Sequence, residues 1–352
     1  MNRYRIEILS RSDLSLVSFR ECAEPDINID FLVSAQSAVS CPGQVVGEIG
    51  DFAQIRINGR VYYQGVIYDI GFDGSKTAIT LLQLSQLMNT EVFADVDLLS
   101  SQTIEQWFSA LLADTFNGTD SSANLPGYTV KINSSTNGYH AASDDGVYNL
   151  YDLAVSFFKT YGVIIDISFD YNTKKVLFEF NTVSNTVLKL DLTVSDVIDY
   201  EIQPALISDS LNRMIIRDAD DPTNVITYYW HPTDFSGTID TDPDTNRIVP
   251  VITRCEEITL NEGEIFADVS YAKAQEVLYK TRYDDLISVT IKADSKLISN
   301  FQIGQLFTLY DGDNSYNTLL TGIHKQSMAS IGLTFGYVRK RLTQILKMKG
   351  RY

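Results

Sequence analysis

Histidine and cysteine, the side chains that most often hold catalytic metals or act as nucleophiles, are scarce in this sequence of 352 residues. The histidines are His140, His231 and His324, and the cysteines are Cys22, Cys41 and Cys255. No HExxH, CxxC or GxSxG motif is present, so a histidine metal site would need all three histidines from distant parts of the chain. We therefore expect no catalytic metal, no thiolate zinc site, no internal disulfide framework and no cofactor.

Clusters of aspartate offer oxygen ligands for calcium, but none completes a known calcium-binding loop. The segment 240–244 has aspartate at every second position, yet Thr245 follows where an EF-hand needs glycine, and Val251 stands where it needs a bidentate glutamate. The segments 218–221 and 311–313 fit either a weak surface calcium site or a solvated turn. An EF-hand is excluded.

The glycine-rich segment 71–77 resembles a phosphate-binding loop only superficially. Its Lys76 does not follow a glycine, and the segment lies between two predicted strands, with no helix N-terminus to receive a phosphate. We expect a hairpin turn here.

Charge is distributed unevenly along the chain. Lysine and arginine total 28 against 45 acidic residues, a net charge of -17, so the general field repels nucleic acid. Residues 314–352 contain no acidic residue and seven basic ones, which leaves -24 on residues 1–313. This basic end suits a solvated terminus, contact with nucleic acid, or docking on an acidic neighbouring subunit. The candidate docking residues are Arg339, Lys340 and Arg341.

The sequence carries no sign of export or of membrane insertion. Its first 20 residues contain several charges and no apolar stretch suited to a signal peptide, and no run of about 18 apolar residues occurs. We expect synthesis in a reducing cytoplasm and no stable membrane insertion.

Three regions differ in their predicted secondary structure. Residues 1–98 contain alternating segments around Asn58-Gly59, a dipeptide that favours a two-residue hairpin, and predict an all-β barrel or sandwich. Residues 99–200 predict an α+β unit. Residues 201–338 return to strands with one helix near 267–282, and 339–352 form the basic segment.

Two helices and a hairpin define the predicted α+β unit. Thr103 and Gln106 form a capping box before an apolar helical face, and a second helix begins near Asn149 and ends at Gly162. A hairpin follows over residues 163–180. In the third region, the polar stretch 232–247 predicts a loop.

The first and last regions share a sequence pattern. Ile49-Gly50 precedes a strand, a polar turn and Gly65, and Ile303-Gly304 precedes a strand, a polar turn and Gly322, with 254 residues between the leading glycines. Any two hairpins can look alike by chance; the alternative is a pair of related β-barrels that flank the α+β unit.

The order of these elements resembles the baseplate hub proteins of tailed phages. The shared features are Gly50-Asp51 with Tyr63-Gln-Gly65, the helix Thr103-Ile-Glu-Gln-Trp-Phe, the helix and strand from Tyr151 to Ile165, the strand entry Leu211-Asn212-Arg213, and the closing segments Ile303-Gly304, Leu320-Thr-Gly322 and Leu333-Thr-Phe-Gly-Tyr-Val. The sequence is most similar to the tail-associated (Tal) hub of siphophages, itself similar to the contractile-phage hub and the base of type VI secretion spikes. The resemblance spans nearly the whole chain and lies in the order of elements.

This resemblance implies a mainly β fold of the α+β class, with two tandem related β-barrels flanking an α+β domain. It implies a homotrimeric, non-enzymatic virion protein at the tail tip, whose six barrels match the hexameric distal tail protein and the tail tube. The ring would close the tube and open for passage of the phage DNA during genome ejection. Two alternatives are a tail-associated cell-wall hydrolase with a carboxylate site and a host-surface carbohydrate-binding module. Many relatives carry a long C-terminal extension with further domains. In this sequence about 15 residues follow the predicted second barrel, so we do not expect the activity of such an extension.

Overall fold

The chain folds mainly into β-strands, as the alternating sequence segments predict. The computed structural model describes residues 3–94, 102–136, 146–203, 211–231, 237–243, 251–260, 263–283, 285–295, 301–325 and 329–337. These residues form several β-sheets and three α-helices. None of the described helices combines the length and apolar character needed to cross a membrane.

The first region contains the strands β1 (Tyr4–Leu9), β2 (Leu16–Glu21), β3 (Ile27–Asp30), β4 (Gln36–Pro42), β5 (Phe52–Ile57), β6 (Arg60–Phe72) and β7 (Lys76–Gln83). All of them except β3 form the first sheet, in the order β2-β1-β5-β6-β7-β4. The predicted hairpin is confirmed: Asn58 and Gly59 both have positive φ, at 51° and 85°, as a type I′ turn requires. The segment 71–77 also contains the expected hairpin turn, residues 73–75 between β6 and β7.

The two ends of this sheet approach each other. Ala23, just after β2, donates its backbone N–H to the Ser40 carbonyl of β4 at 2.9 Å. The enclosed side is lined by apolar residues that alternate with outward-facing ones along each strand: Ile6, Ile8, Val39, Cys41, Ile55, Ile67, Ile79 and Leu81. The sheet therefore curls around its own core.

A second unit combines the two predicted helices with the predicted hairpin, which a third strand extends to a three-stranded sheet. Its elements are β8 (Glu91–Phe93), α1 (Ile104–Phe116), β9 (Thr129–Ile132), β10 (Val147–Asn149), α2 (Leu150–Tyr161), β11 (Val163–Asp170) and β12 (Lys175–Thr182), with the sheet order β11-β12-β9. The Thr103 hydroxyl accepts a hydrogen bond from the Gln106 N–H, and the Gln106 side chain accepts one from Thr103, so the capping box is confirmed. Gly162 ends α2 in the left-handed conformation.

The largest sheet has seven strands: β3 and the six strands β13 (Ser184–Asp191), β14 (Val197–Gln203), β19 (Leu286–Lys292), β20 (Gln305–Asp311), β21 (Asn314–Lys325) and β22 (Ser330–Phe335). The six are in the order β13-β20-β21-β22-β19-β14, and β3 pairs with β21. The predicted boundary between residues 200 and 201 thus falls inside β14.

A four-stranded sheet and α3 (Phe266–Leu278) are inserted between β14 and β19. The strands are β15 (Arg213–Asp218), β16 (Val225–His231), β17 (Thr238–Asp240) and β18 (Thr253–Ile258), in the order β17-β16-β15-β18. The prediction of a loop over 232–247 was wrong at β17. This strand has one buried apolar residue, Ile239, which is too little to give an alternating pattern.

Four neighbouring strands have the same order in the two largest sheets, β5-β6-β7-β4 in the first and β20-β21-β22-β19 in the other. Beyond them, Asp26, the residue before β3, bridges to Ala38 of β4, and β14 pairs with β19. Gly50 and Gly304 precede the corresponding strands β5 and β20, with φ of 92° and 82°.

A β-bulge fixes the correspondence between the two sheets. The register of β6 on β7 shifts between Ile67 and Asp69, and that of β21 on β22 shifts between Leu320 and Gly322. Asp69 therefore corresponds to Gly322. The sequence comparison instead aligned Gly65 with Gly322, because the bulge and the turn lengths leave no mark in the residue types.

Candidate assembly surface

The predicted docking residues Arg339, Lys340 and Arg341 lie outside the described residues. The last described residue, Tyr337, is buried, and its ring packs against Phe158 and Tyr283 with centroid separations of 5.9 and 5.2 Å. Its backbone N–H donates to the Tyr283 carbonyl at 2.6 Å, and burial raises the pKa of the Tyr337 hydroxyl. Arg339 thus follows two residues after an anchored position.

The described histidines lie in different sheets. His231 Nε2 is 3.1 Å from Asp240 Oδ1 between β16 and β17, and His324 Nε2 is 2.8 Å from Asp26 Oδ1 at the contact between β21 and the residue before β3. His140 is outside the described residues. Across the described ranges, no three histidine, cysteine or acidic side chains converge on a position that could hold a metal ion.

Aspartates in the predicted oxygen-rich segments mostly cap turns. Asp221 accepts hydrogen bonds from the Thr223 backbone and hydroxyl, and Asp240 accepts one from the Asp242 backbone. Asp311 accepts a hydrogen bond from the Tyr200 hydroxyl at 2.7 Å. These carboxylates therefore accept hydrogen bonds that stabilise nearby turns and the ends of strands.

Cys22 and Cys41 are adjacent, although 19 positions separate them in sequence. Both cysteines are free, and a hydrogen bond between the thiols, with burial, raises the pKa of Cys22. Sequence spacing could not find this contact, because it depends on the curling of the first sheet. Cys255 lies exposed on β18.

The first and last sheets are joined within the chain by β3, which pairs antiparallel with the end of β21. Asp30 pairs with Gly322 and Asn28 with His324, and the Phe31 N–H donates to the Thr321 carbonyl at 3.0 Å. Gly322 leaves room for this approach, because an added Cβ would lie 3.2 Å from Asp30 Oδ2. We call the β3-facing side of Gly322–Lys325 the occupied edge.

Side chains from β7 and α2 support this junction. Gln83, at the end of β7, donates from Nε2 to the Asp30 carbonyl at 2.7 Å and accepts the Asp30 N–H at 3.2 Å. The Phe31 and Phe158 rings are 4.4 Å apart, and the Tyr151 hydroxyl donates to the Phe31 carbonyl at 3.3 Å. Helix α2 therefore holds the strand that joins the two sheets.

The edge of β6 that corresponds to the occupied edge is exposed. Residues Asp69–Phe72 pair with β7 on one side, and no strand in the described part of the chain pairs with their other side. The Tyr68 and Phe72 side chains are 54% and 47% exposed, whereas Thr321, the counterpart of Tyr68, is fully buried. We call this side of Asp69–Phe72 the open edge.

More apolar side chains are exposed at the same end of the first sheet. The terminal strand β2 exposes Leu16, Val17 and Phe19, and the loop before β5 exposes Val46 and Ile49. The Ser18 hydroxyl donates to the Val46 carbonyl, so the strand and the loop are in contact. Exposed apolar side chains and an unpaired strand edge are each typical of a surface that another chain covers.

Comparisons with known proteins find similar folds and no similar sequence families. No protein-family model matches the sequence, and no curated protein matches it significantly. A tail protein from Neisseria meningitidis MC58 is 11% identical with a TM-score of 0.57, and the match covers 95% of this chain and 96% of that one.

Two prophage proteins show the same extent of similarity. The 43 kDa tail protein of prophage MuSo2 from Shewanella oneidensis is 14% identical with a TM-score of 0.57, covering 96% of this chain and 98% of that chain. The prophage tail protein gp18 from Listeria monocytogenes EGD-e is 10% identical with a TM-score of 0.55, covering 98% of both chains. Over nearly its whole length, the chain therefore has the fold of these phage tail proteins.

Proposed function

We propose that this protein is a structural, non-enzymatic component of a phage tail tip, the baseplate hub. The observation that carries the proposal is the extent of the fold match, which spans 95% or more of this chain and of each of three phage tail proteins. A fold alone does not fix a function. Here the fold match agrees with the resemblance found in the order of the sequence elements.

The hub assembles as a homotrimer in which the two largest sheets act as related β-barrels. Their shared strand order and shared bulge support this relation. Three chains with two barrels each present six similar surfaces, so a trimer can match a hexameric distal tail protein and the tail tube. The duplication removes the need for a separate adaptor.

The ring closes the tail tube and opens for genome passage. Each chain carries a net charge of -17, so a lumen lined by acidic residues lets the phage DNA pass without adhering to it. The protein accordingly resides in the virion, at the tip of the tail.

The basic segment docks on an acidic surface of a neighbouring subunit or of the distal tail ring. Arg339, Lys340 and Arg341 lie close to the anchored Tyr337, so they reach only nearby surfaces. Each exposed ion pair is worth about 0.2 to 1 kcal/mol, and several act together.

Light scattering on the purified protein tests the proposed assembly. The expected mass is three times the 39.5 kDa of one chain. A monomer across micromolar concentrations would count against the hub. Release of fragments from purified cell wall would favour the hydrolase instead, and adsorption of the isolated protein to host cells would favour the carbohydrate-binding module.

A further inference from the structure

The open edge of β6 and the occupied edge of β21 are corresponding positions in the two largest sheets. In both strands the bulge precedes the edge, and Asp69 and Gly322 correspond. Within the chain, β3 runs from the β4 side of the first sheet and fills the occupied edge. The last sheet should therefore have its own counterpart of β3.

The strand registers identify that counterpart as β14. Ala38 pairs with Thr80 in the first sheet, and Ser288 pairs with Thr334, the residue that corresponds to Thr80. Asp26 bridges to Ala38, whereas Glu201 pairs with Ser288. Asp26 and Glu201 therefore occupy corresponding positions.

The residue types agree with this correspondence. Asp26-Ile27-Asn28 leads into the occupied edge, and Glu201-Ile202-Gln203 ends β14, with the same acidic, isoleucine and amide side chains in the same order. Ile27 and Ile202 each pack against the core of their own sheet. Among the strands in the described residues, β14 also ends the path of paired strands in its sheet, so its far edge can accept a partner.

We propose that β14 of one chain pairs antiparallel with the open edge of β6 in a second copy of this chain. This contact would repeat, between copies, the β3–β21 contact found within one chain. The correspondence predicts that Gly71 faces Gln203 and that Phe72 faces Ile202, as His324 faces Asn28 and Lys325 faces Ile27. Pairing would cover Phe72 and complete the backbone hydrogen bonds of both edges.

The contact joins two different surfaces of the same chain, so it is heterologous and generates a ring when its rotation closes. It rests on the proposed trimeric hub and names the strands that hold the ring together. Every junction between neighbouring sheets in the ring would then use the same strand geometry, alternately within a chain and between chains.

Engineered disulfides test this pairing. The variant Gly71→Cys with Gln203→Cys, made with Cys255→Ser, is oxidised and run on a non-reducing gel, and light scattering gives its mass before oxidation. Facing residues of antiparallel strands have Cα separations of about 4.5 to 5.5 Å, which suits a disulfide. At Gly71 an added Cβ meets no atom within 4 Å, so the substitution should not disturb the fold.

Two matched variants give the controls. Asn28→Cys with His324→Cys places the same chemistry at the corresponding pair within one chain and should form an intramolecular disulfide in a monomeric band. Gly71→Cys with Asp199→Cys moves one thiol four residues along β14, about 13 Å, and should not cross-link.

The expected result is covalent dimers and trimers for Gly71→Cys with Gln203→Cys and for neither control. A trimer by light scattering with no intermolecular cross-link would overturn the strand pairing and leave the hub proposal standing. A monomer with no cross-link would contradict both. Cross-linking of the shifted pair at the same yield would also overturn the proposed register.

Discussion

Glu7 on β1 is a carboxylate with 2% exposure that holds several side chains together. It accepts hydrogen bonds from the Gln54 side chain and from Arg56 Nε, the latter at 2.9 Å, and it pairs with Arg5. We expect Glu7→Ala to lower the free energy of unfolding by about 2 to 3 kcal/mol, because Gln54 is buried and would lose its acceptor.

Chemical denaturation measures this change. Glu21→Ala is the control, because Glu21 makes its ion pair with Arg3 at the surface and should cost less than about 1 kcal/mol. Equal losses of unfolding free energy in the two variants would show that burial of Glu7 does not increase its contribution to stability.

Tyr63 makes stability sensitive to alkaline pH. Burial raises its pKa to about 12, above the ordinary value of 10. The neutral hydroxyl of Tyr63 is therefore favoured in the folded protein. The stability that this preference provides is fully present below pH 10 and is lost as the pH rises from 10 to 12. Tyr63→Phe should lose less stability than the natural protein over this interval, measured by denaturation at several pH values. Tyr68→Phe, at an exposed position, is the control, and identical pH profiles for all three proteins would contradict the prediction.

Gly50 and Gly304 are corresponding residues with different surroundings. Both have positive φ, so alanine at either position costs about 1 kcal/mol from the backbone alone. An added Cβ at Gly304 would lie 2.1 Å from Ile164 Cδ1, whereas at Gly50 its nearest contact is 3.5 Å. We expect Gly304→Ala to cost about 2 to 4 kcal/mol because overpacking is added. Thermal unfolding compares the two, and a larger loss for Gly50→Ala would reverse the expected order.

Helix α1 has a local start signal that can be tested by itself. The Thr103 hydroxyl accepts the Gln106 N–H at 3.2 Å, and replacing such a cap with alanine costs about 1 kcal/mol. Thr103→Ala should therefore lower the unfolding free energy by about that amount, and Thr103→Ser should not, because serine keeps the acceptor. Equal stability of both variants in denaturant would show that the cap is dispensable.

Elements whose signals are local could be predicted from the sequence. The Asn58-Gly59 hairpin, the capping box of α1 and Gly162 at the end of α2 each depend on residues within one turn of one another. Strands β3 and β17 carry no such signal. Both are short. What makes β3 a strand is a partner far away in sequence, at Gly322, whereas β17 pairs with the preceding strand β16 through only three residues.

At the scale of the whole molecule, the sequence indicated that the first and last regions share a pattern, and it identified Gly50 and Gly304 correctly as a corresponding pair. It could not locate the junction between the sheets or the open edge, because both depend on a register set by a bulge. Charge, together with a place just after the last strand, was the basis for choosing Arg339, Lys340 and Arg341 as docking residues. Their docking role stays a prediction.

Replacing Arg339, Lys340 and Arg341 with serine tests the role of the basic segment. We expect the melting temperature to stay nearly unchanged and trimer assembly to weaken relative to the natural protein. The difference should be largest at low salt and smaller at physiological concentration, because salt screens the ion pairs that the natural protein makes. Sedimentation at several salt concentrations measures this. Serine at the exposed Arg60, Lys175 and Lys189 changes the net charge equally and serves as the control. Normal assembly of the Arg339, Lys340 and Arg341 variant at every ionic strength would mean that the basic segment is only a solvated end.

In the proposed hub, three copies of this chain form a ring with six similar lobes. Negative-stain electron microscopy of the purified protein, with class averages computed without imposed symmetry, shows whether this ring forms. The expected averages show closed rings with threefold symmetry and six lobes around a central channel. Averages that show only single particles of one chain's size, or rings built from a number of chains other than three, would contradict the claim.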